Sequence, residues 1–186
     1  MSWPLTLKVS RGALVIAEPG RYTLMPSATE ALIDELLQAA RAQLGDIGTG
    51  WMPEGGGLLN NLPAWENVLL STQWHAPAAL PALEARLRAW MARLGYDDEG
   101  ARLLLSQAPA RLHEDERRLV GWLRQLLSRP RLVLMAGLAL PEGALGQRVL
   151  ALLDEELAGT ALLVVDDEAP GWFTPLSLAH AEADSR

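Results

Sequence analysis

Four stretches of this chain hold, or conspicuously lack, residues able to do chemistry. Asp166, Asp167 and Glu168 follow the apolar run ALLVV. Carboxylates at the carboxyl end of such a strand suit a divalent cation, although a solvated acidic turn before Ala169-Pro170-Gly171 is the plainer reading. His113 stands beside Glu114 and Asp115, a grouping suited to acid–base work or to metal. No second histidine lies at ligand spacing, so an exposed helix start is expected instead. Glu54 precedes Gly55-Gly56-Gly57, where it can accept hydrogen bonds or hold a cation. The fourth stretch is the turn Met25, Pro26, Ser27, Ala28, Thr29, Glu30 between a strand and a helix. Phosphate binding at such a turn needs G-x-x-x-x-G-K-[ST], because glycines let backbone N–H groups converge and lysine neutralises the charge. This turn has neither glycine nor lysine, and the Glu30 carboxylate repels a polyphosphate. It reads as a capped helix, not as a nucleotide site.

The elements that must position these residues follow from periodicity and punctuation. Leu5–Val9 alternates as a strand, Arg11-Gly12 turns, residues 13–17 form a second strand, and 21–25 a third after Pro19-Gly20. A helix opens at 26–29, with Ser27 or Thr29 as cap, and runs through Leu44 on a stripe of Ala31, Leu32, Leu36, Ala39 and Ala40. Residues 45–51 predict a short strand between turns. Leu58, Leu59 and Leu62 pack downward with Asn60 and Asn61 at the turn, and a helix starts at Ala64-Trp65-Glu66-Asn67. An amphipathic helix over 82–94 carries Leu83, Leu87, Trp90, Met91 and Leu94 on one face, and a second short helix spans 99–106. The helix beginning near His113 buries Leu119, Val120, Leu123, Leu126 and Leu127 and stops before Pro130. RLVLM (131–135) and ALLVV are apolar enough for central parallel strands, joined by a helix over 144–157. Trp172-Phe173 is expected to pack back on the sheet, and residues 177–186 to form a polar, frayed tail.

A length of 186 residues suits one domain with a sub-domain, and 49% hydrophobic content supplies a full core. The net charge of −7 opposes non-specific nucleic-acid binding and docking on anionic lipid. Without cysteine there are no disulfides, thiolate metal sites or cysteine nucleophiles. No apolar h-region or membrane-length run is visible, so a soluble, cytoplasmic protein is expected.

The order of EGGGLLNNLPAWENVLL (54–70), a helical insert, and LHEDERRLVGWLRQLLSRPRLVLM (112–135) resembles the middle of an ATP-binding-cassette (ABC) ATPase. In that family a Q-loop and an "ENV" helix start lead to a helical subdomain, then a signature helix and a strand ending in Asp-Glu. The framework from about Gly12 to Asp167 follows this order. The resemblance implies an α/β fold of the P-loop-NTPase (ABC ATPase-like) kind, with a mainly parallel sheet flanked by helices and a small α-helical subdomain. It implies one cassette domain over 1–186, with the helical subdomain at 58–110 and a flexible tail at 177–186.

The family's chemical residues depart from the pattern together. The phosphate loop falls on residues 25–30, and Glu54 stands where the Q-loop glutamine lies. Of the signature, Leu112 and Glu116 match, but His113, Glu114 and Asp115 replace serine and two glycines. The strand-end carboxylates become Ala136-Gly137-Leu138, and Glu142 comes too late to replace them. Asp166 takes the place of the switch histidine.

The expected function is therefore a catalytically inactive cassette-like subunit or regulator, partnered by an ABC permease or an active ABC ATPase subunit. It would reach the inner membrane only through that partner, with no nucleic acid bound and no direct insertion. Asn60, Asn61, Trp65, Glu66 and Asn67, with the helical insert, are the expected partner surface, because the family's permease docks there. Trp65, Trp74 and Trp90 are candidate anchors, each with a core role as its alternative. No catalytic, cofactor or metal residue is assigned. The alternatives are an unorthodox Mg-ATP-binding ATPase holding metal through Glu54, Asp166 and Asp167, and a free-standing scaffold.

Overall fold

A computed structural model describes residues 3–25, 30–75, 80–166 and 171–179. The fold is α/β, and the chain divides into two compact units. The first comprises residues 1–51, 130–138 and 159–186; the second comprises 52–129 and 139–158.

In the first unit, β1 (Leu5–Val9) and β2 (Gly12–Ile16) form an antiparallel hairpin. Its Leu5, Leu7, Leu14 and Ile16 point to one buried face, as the alternation in both strands requires. A five-stranded sheet contains β3 (Gly20–Leu24), β4 (Thr49–Met52), β5 (Leu132–Ala136), β6 (Ala161–Val165) and β7 (Thr174–Leu176). Its order is β4-β5-β6-β3-β7, and β5, β6, β3 and β7 run parallel to one another. β6 is buried along its whole length, and β5 at all but its last residue, which explains their unbroken apolar runs. Thr160 Oγ1 donates to the Pro130 carbonyl at 2.6 Å, so the two strands begin in register. The helix α1 (Glu30–Gly48) lays Leu32, Leu36, Leu37 and Ala40 on the core shared by the hairpin and the sheet.

Three features differ from the sequence reading. Residues 45–51 are not one strand: Gly45, at φ 73°, breaks α1, a last helical turn follows, and β4 starts only at Thr49. The strand β7 has no counterpart in the reading. It is three residues long and contains Pro175, which the sheet edge tolerates because one side of an edge strand needs no donor. Within the expected polar tail, Ala179 exchanges both backbone hydrogen bonds with Ala13, at 2.8 and 2.9 Å. Residues 180–186 lie outside the described residues.

The second unit is helical: α2 (Ala64–His75), α3 (Leu80–Leu94), α4 (Asp98–Ser106), α5 (Glu114–Ser128) and α6 (Gly143–Glu156). Asp97 caps α4 by accepting from the Gly100 N–H at 2.7 Å. α5 packs against α2 and α6 with Leu119, Val120, Trp122, Leu123, Leu126 and Leu127 buried. Trp122 Nε1 donates to the Ala139 carbonyl at 2.6 Å, which satisfies the only polar atom of a buried indole. Trp90 is 2% exposed and donates to Glu156 Oε1 at 3.0 Å, so of its two candidate roles it takes the core one. The side chain of Trp74 is not among those described.

Candidate functional site

The carboxyl ends of β3, β5 and β6 are where a parallel sheet offers a ligand site. β5 ends in Ala136, followed by Gly137 at φ 72°. A side chain at 137 would start 3.5 Å from Asp166 Oδ2, and the Gly137 N–H donates to the Val165 carbonyl at 3.4 Å. Asp166, the residue after β6, is thus the one carboxylate described at these strand ends. No group of three or more His, Cys, Asp or Glu that could hold a metal ion occurs among the described residues. Asp167, and residues Pro26, Ser27, Ala28 and Thr29 of the turn after β3, lie outside the described residues, as does the side chain of Glu30. Met25, where that turn begins, is 66% exposed. The chain has a single lysine, Lys8, an exposed residue of β1. A G-K-[ST] sequence therefore occurs nowhere.

The glycine run at 55–57 does different work from a phosphate cradle. Gly56, at φ 82°, lies against α5 so closely that a Cβ would fall 2.3 Å from the Arg117 carbonyl oxygen. Gly121 answers from the helix side, with its own missing Cβ only 2.7 Å from the Gly56 carbonyl oxygen. Two arginines of α5 then strap the loop down. Arg124 donates to the carbonyls of Gly57 at 2.8 Å and Gly56 at 3.1 Å, and Arg118 Nε donates to the Glu54 carbonyl at 3.1 Å. Burial pulls the Arg124 guanidinium below its ordinary pKa, though such a group remains charged. The loop therefore turns carbonyl oxygens toward guanidinium groups, the opposite polarity from N–H groups converging on an anion. The Glu54 side chain is 78% exposed, with its carboxylate 3.9 Å from Arg118.

At the N-terminus of α5 the acidic residues serve the helix. The His113 N–H donates to Glu116 Oε2 at 2.8 Å, half of a capping box. Glu114 pairs with Arg118, and Asp115 lies 3.5 Å from the same guanidinium. Asp115 Oδ1 also accepts from the Glu142 N–H at 3.1 Å, which anchors the approach to α6. His113 itself is exposed, as expected of a helix start.

The stretch before α2 is organised by Asn67. Its side chain is fully buried: Oδ1 accepts from the Leu59 N–H at 2.7 Å, and Nδ2 donates to the carbonyls of Leu59, Leu62 and Pro63 at 3.0–3.2 Å. Asn60 and Asn61 stand exposed on the loop so formed, and Glu66 is half-buried. Trp65, 40% exposed, borders a groove of about 670 Å³ among α2, α3 and α4. Leu69, Leu87, Met91 and Leu105 supply its apolar lining, and Arg88 and Asp98, 3.9 Å apart, form an ion pair among its charged residues. The groove and the arginine strap were both missed by sequence reasoning. The clue to the strap was present: arginines on an apolar helix, in a chain whose glycine run otherwise had no partner.

No family model matches the chain, and no curated protein matches it. Solved structures do. A dimeric, post-hydrolysis ATP-binding cassette bound to ADP and Pi is 16% identical, with a TM-score of 0.58 over 89% of this chain and 85% of that one. The ATP-binding subunit of an ABC transporter is also 16% identical, with a TM-score of 0.60 over 88% and 77%. A Pyrococcus furiosus protein described as an ABC transporter ATP-binding protein is 11% identical, with a TM-score of 0.60 over 92% of both chains. At these identities the likeness establishes the fold: this chain has the architecture of an ABC nucleotide-binding domain.

Proposed function

We propose that this ABC-cassette-like protein is a catalytically inactive subunit or regulator of a membrane transporter, working beside an active cassette or on a permease. The observation that carries this reading is the position of Lys8. The chain's one lysine belongs to β1, so no lysine is available at the turn after β3 to neutralise a triphosphate. Other residues support it. Ala136 and Gly137 occupy the strand end where magnesium-organising carboxylates are expected, and Glu114 and Asp115 are engaged by Arg118 and by the Glu142 N–H. The partner surface in this reading is the loop bearing Asn60 and Asn61, together with Trp65 and its groove. Asn67 contributes by shaping that loop from within.

No described helix is long and apolar enough to cross a membrane, which is consistent with reaching the bilayer through a partner. Calorimetric titration with Mg-ATP tests the inactive assignment, and no saturable binding is expected. Micromolar affinity would instead support the unorthodox nucleotide binder, with Glu54, Asp166 and Asp167 as candidate metal ligands. Co-expression with the permease encoded nearest to this chain tests the partner. Trp65→Ala should lower recovery of the complex at least several-fold while leaving the melting temperature within about 2 °C, because the indole is partly solvated.

A further inference from the structure

From Gly55 to Trp65 the chain carries no ionisable side chain, although 21% of all its residues are charged. Glu54 and Glu66 bracket this stretch, and the arginines that reach it, Arg118 and Arg124, hold only its start at 54–57. Further along, the outward side is a neutral mixture. Leu59 is 49% exposed, and Asn60 and Asn61 stand exposed beside it. No hydrogen bond holds the side-chain amides of Asn60 and Asn61 among the described residues.

The backbone of the same loop is engaged inward. Asn67 takes the Leu59 N–H and the carbonyls of Leu59, Leu62 and Pro63. The Leu62 N–H donates to the Leu59 carbonyl at 3.2 Å, and the Ala64 N–H to the Gln107 carbonyl at 2.8 Å. The loop therefore has its shape before any partner arrives, which removes much of the ordering cost of binding. What it presents outward is one apolar side chain and two amides. Each amide carries a donor and an acceptor, the pair that matches the C=O and N–H of an exposed peptide. A charged side chain would find no counter-charge on this tip and would lose water against it.

We propose that Leu59, Asn60 and Asn61 form a preshaped recognition tip for an uncharged segment of a partner protein. The segment's backbone pairs with the two side-chain amides, and one of its apolar side chains covers Leu59. This inference rests on the partner-surface reading proposed above and adds the chemistry of the segment that meets it.

The complex recovered by co-expression with the permease encoded nearest to this chain tests it. Between about 50 and about 500 mM salt, recovery should change by less than about twofold, because screening has no charge pair to weaken. Two charge-introducing variants then separate the possible partners. Asn60→Asp with Asn61→Asp, and Asn60→Lys with Asn61→Lys, should each lower recovery at least about tenfold. Both positions are exposed, so both melts should stay within about 2 °C of the unmodified chain. In the free chain, the Leu59 amide should exchange at least about a hundredfold more slowly than in an unfolded chain. Stronger recovery with the aspartates would mean a basic partner segment, and with the lysines an acidic one. Either result, a salt-sensitive complex, or an unprotected Leu59 amide would overturn the proposal while leaving the transporter reading standing. Failure of the unmodified chain to form any complex would overturn both.

Discussion

Asn67 commits its whole side-chain amide to one loop, with one hydrogen bond accepted and three donated in a fully buried setting. Asn67→Ala leaves the Leu62 and Pro63 carbonyls and the Leu59 N–H without that partner, so a loss of about 2–3 kcal/mol is expected in urea unfolding. The position was legible because the segment WENVLL matches a known helix start; that the amide points inward was not, since a sequence does not reveal where an amide turns. Glu156 gives a residue-scale prediction in pH. Its carboxyl is held below the ordinary value first by the Trp90 indole N–H, then by Arg129 at 2.8 Å and the nearby Arg86, with desolvation opposing. A depressed folded pKa means that the contribution is full above the unfolded value and is lost as pH falls through the folded one. Stability should therefore decline on acidification from about pH 5 downward. Glu156→Gln should flatten part of that decline, which thermal melts across pH 3–7 would measure.

At the scale of elements, the strands and helices whose apolar period is strong were readable, and those defined by a distant partner were not. β5 and β6 declare themselves as buried runs, and α5 as a helix that ends before Pro130. β7 is held by β3 across some 150 residues, and nothing within Thr174–Leu176 signals a strand. The glycine run shows the same limit. Its residues were visible, but the reason for them lies on α5, in the Arg117 carbonyl and the Arg118 and Arg124 guanidinium groups. A paired substitution separates the two neighbours. Gly56→Ala meets the Arg117 carbonyl at 2.3 Å and sits at φ 82°, so the loop must lift from the helix. A cost of about 3 kcal/mol follows, which lowers the melting temperature by about 6–12 °C in a chain of this length. Gly55→Ala meets nothing within 4 Å and should leave the melt within about 2 °C. Equal effects at the two positions would refute the strapped-loop account.

For the whole molecule, the question is how an ABC-type architecture forms in a chain whose sequence contains no G-K-[ST]. The forces that build the sheet and the helical unit are burial and backbone pairing. They use Leu132–Ala136, Ala161–Val165 and the apolar face of α5, none of which depends on chemistry at the strand ends. The framework was therefore readable at low identity, whereas function had to be argued from particular positions. On the inactive-subunit reading proposed above, the same separation predicts that one or two substitutions will not confer ATP hydrolysis. Gly137→Glu places a carboxylate at the strand end, but at φ 72°, where a side chain costs about 1–2 kcal/mol. Its Cβ would also start 3.5 Å from the Asp166 carboxylate, adding like-charge repulsion. The variant should melt several degrees lower, and phosphate release from Mg-ATP should stay at background even when Ala136→Asp is added, because Lys8 on β1 remains the chain's only lysine. Measurable turnover by the double variant would show that the nucleotide-gripping parts persist in another form, and the inactive-subunit reading would fall with it.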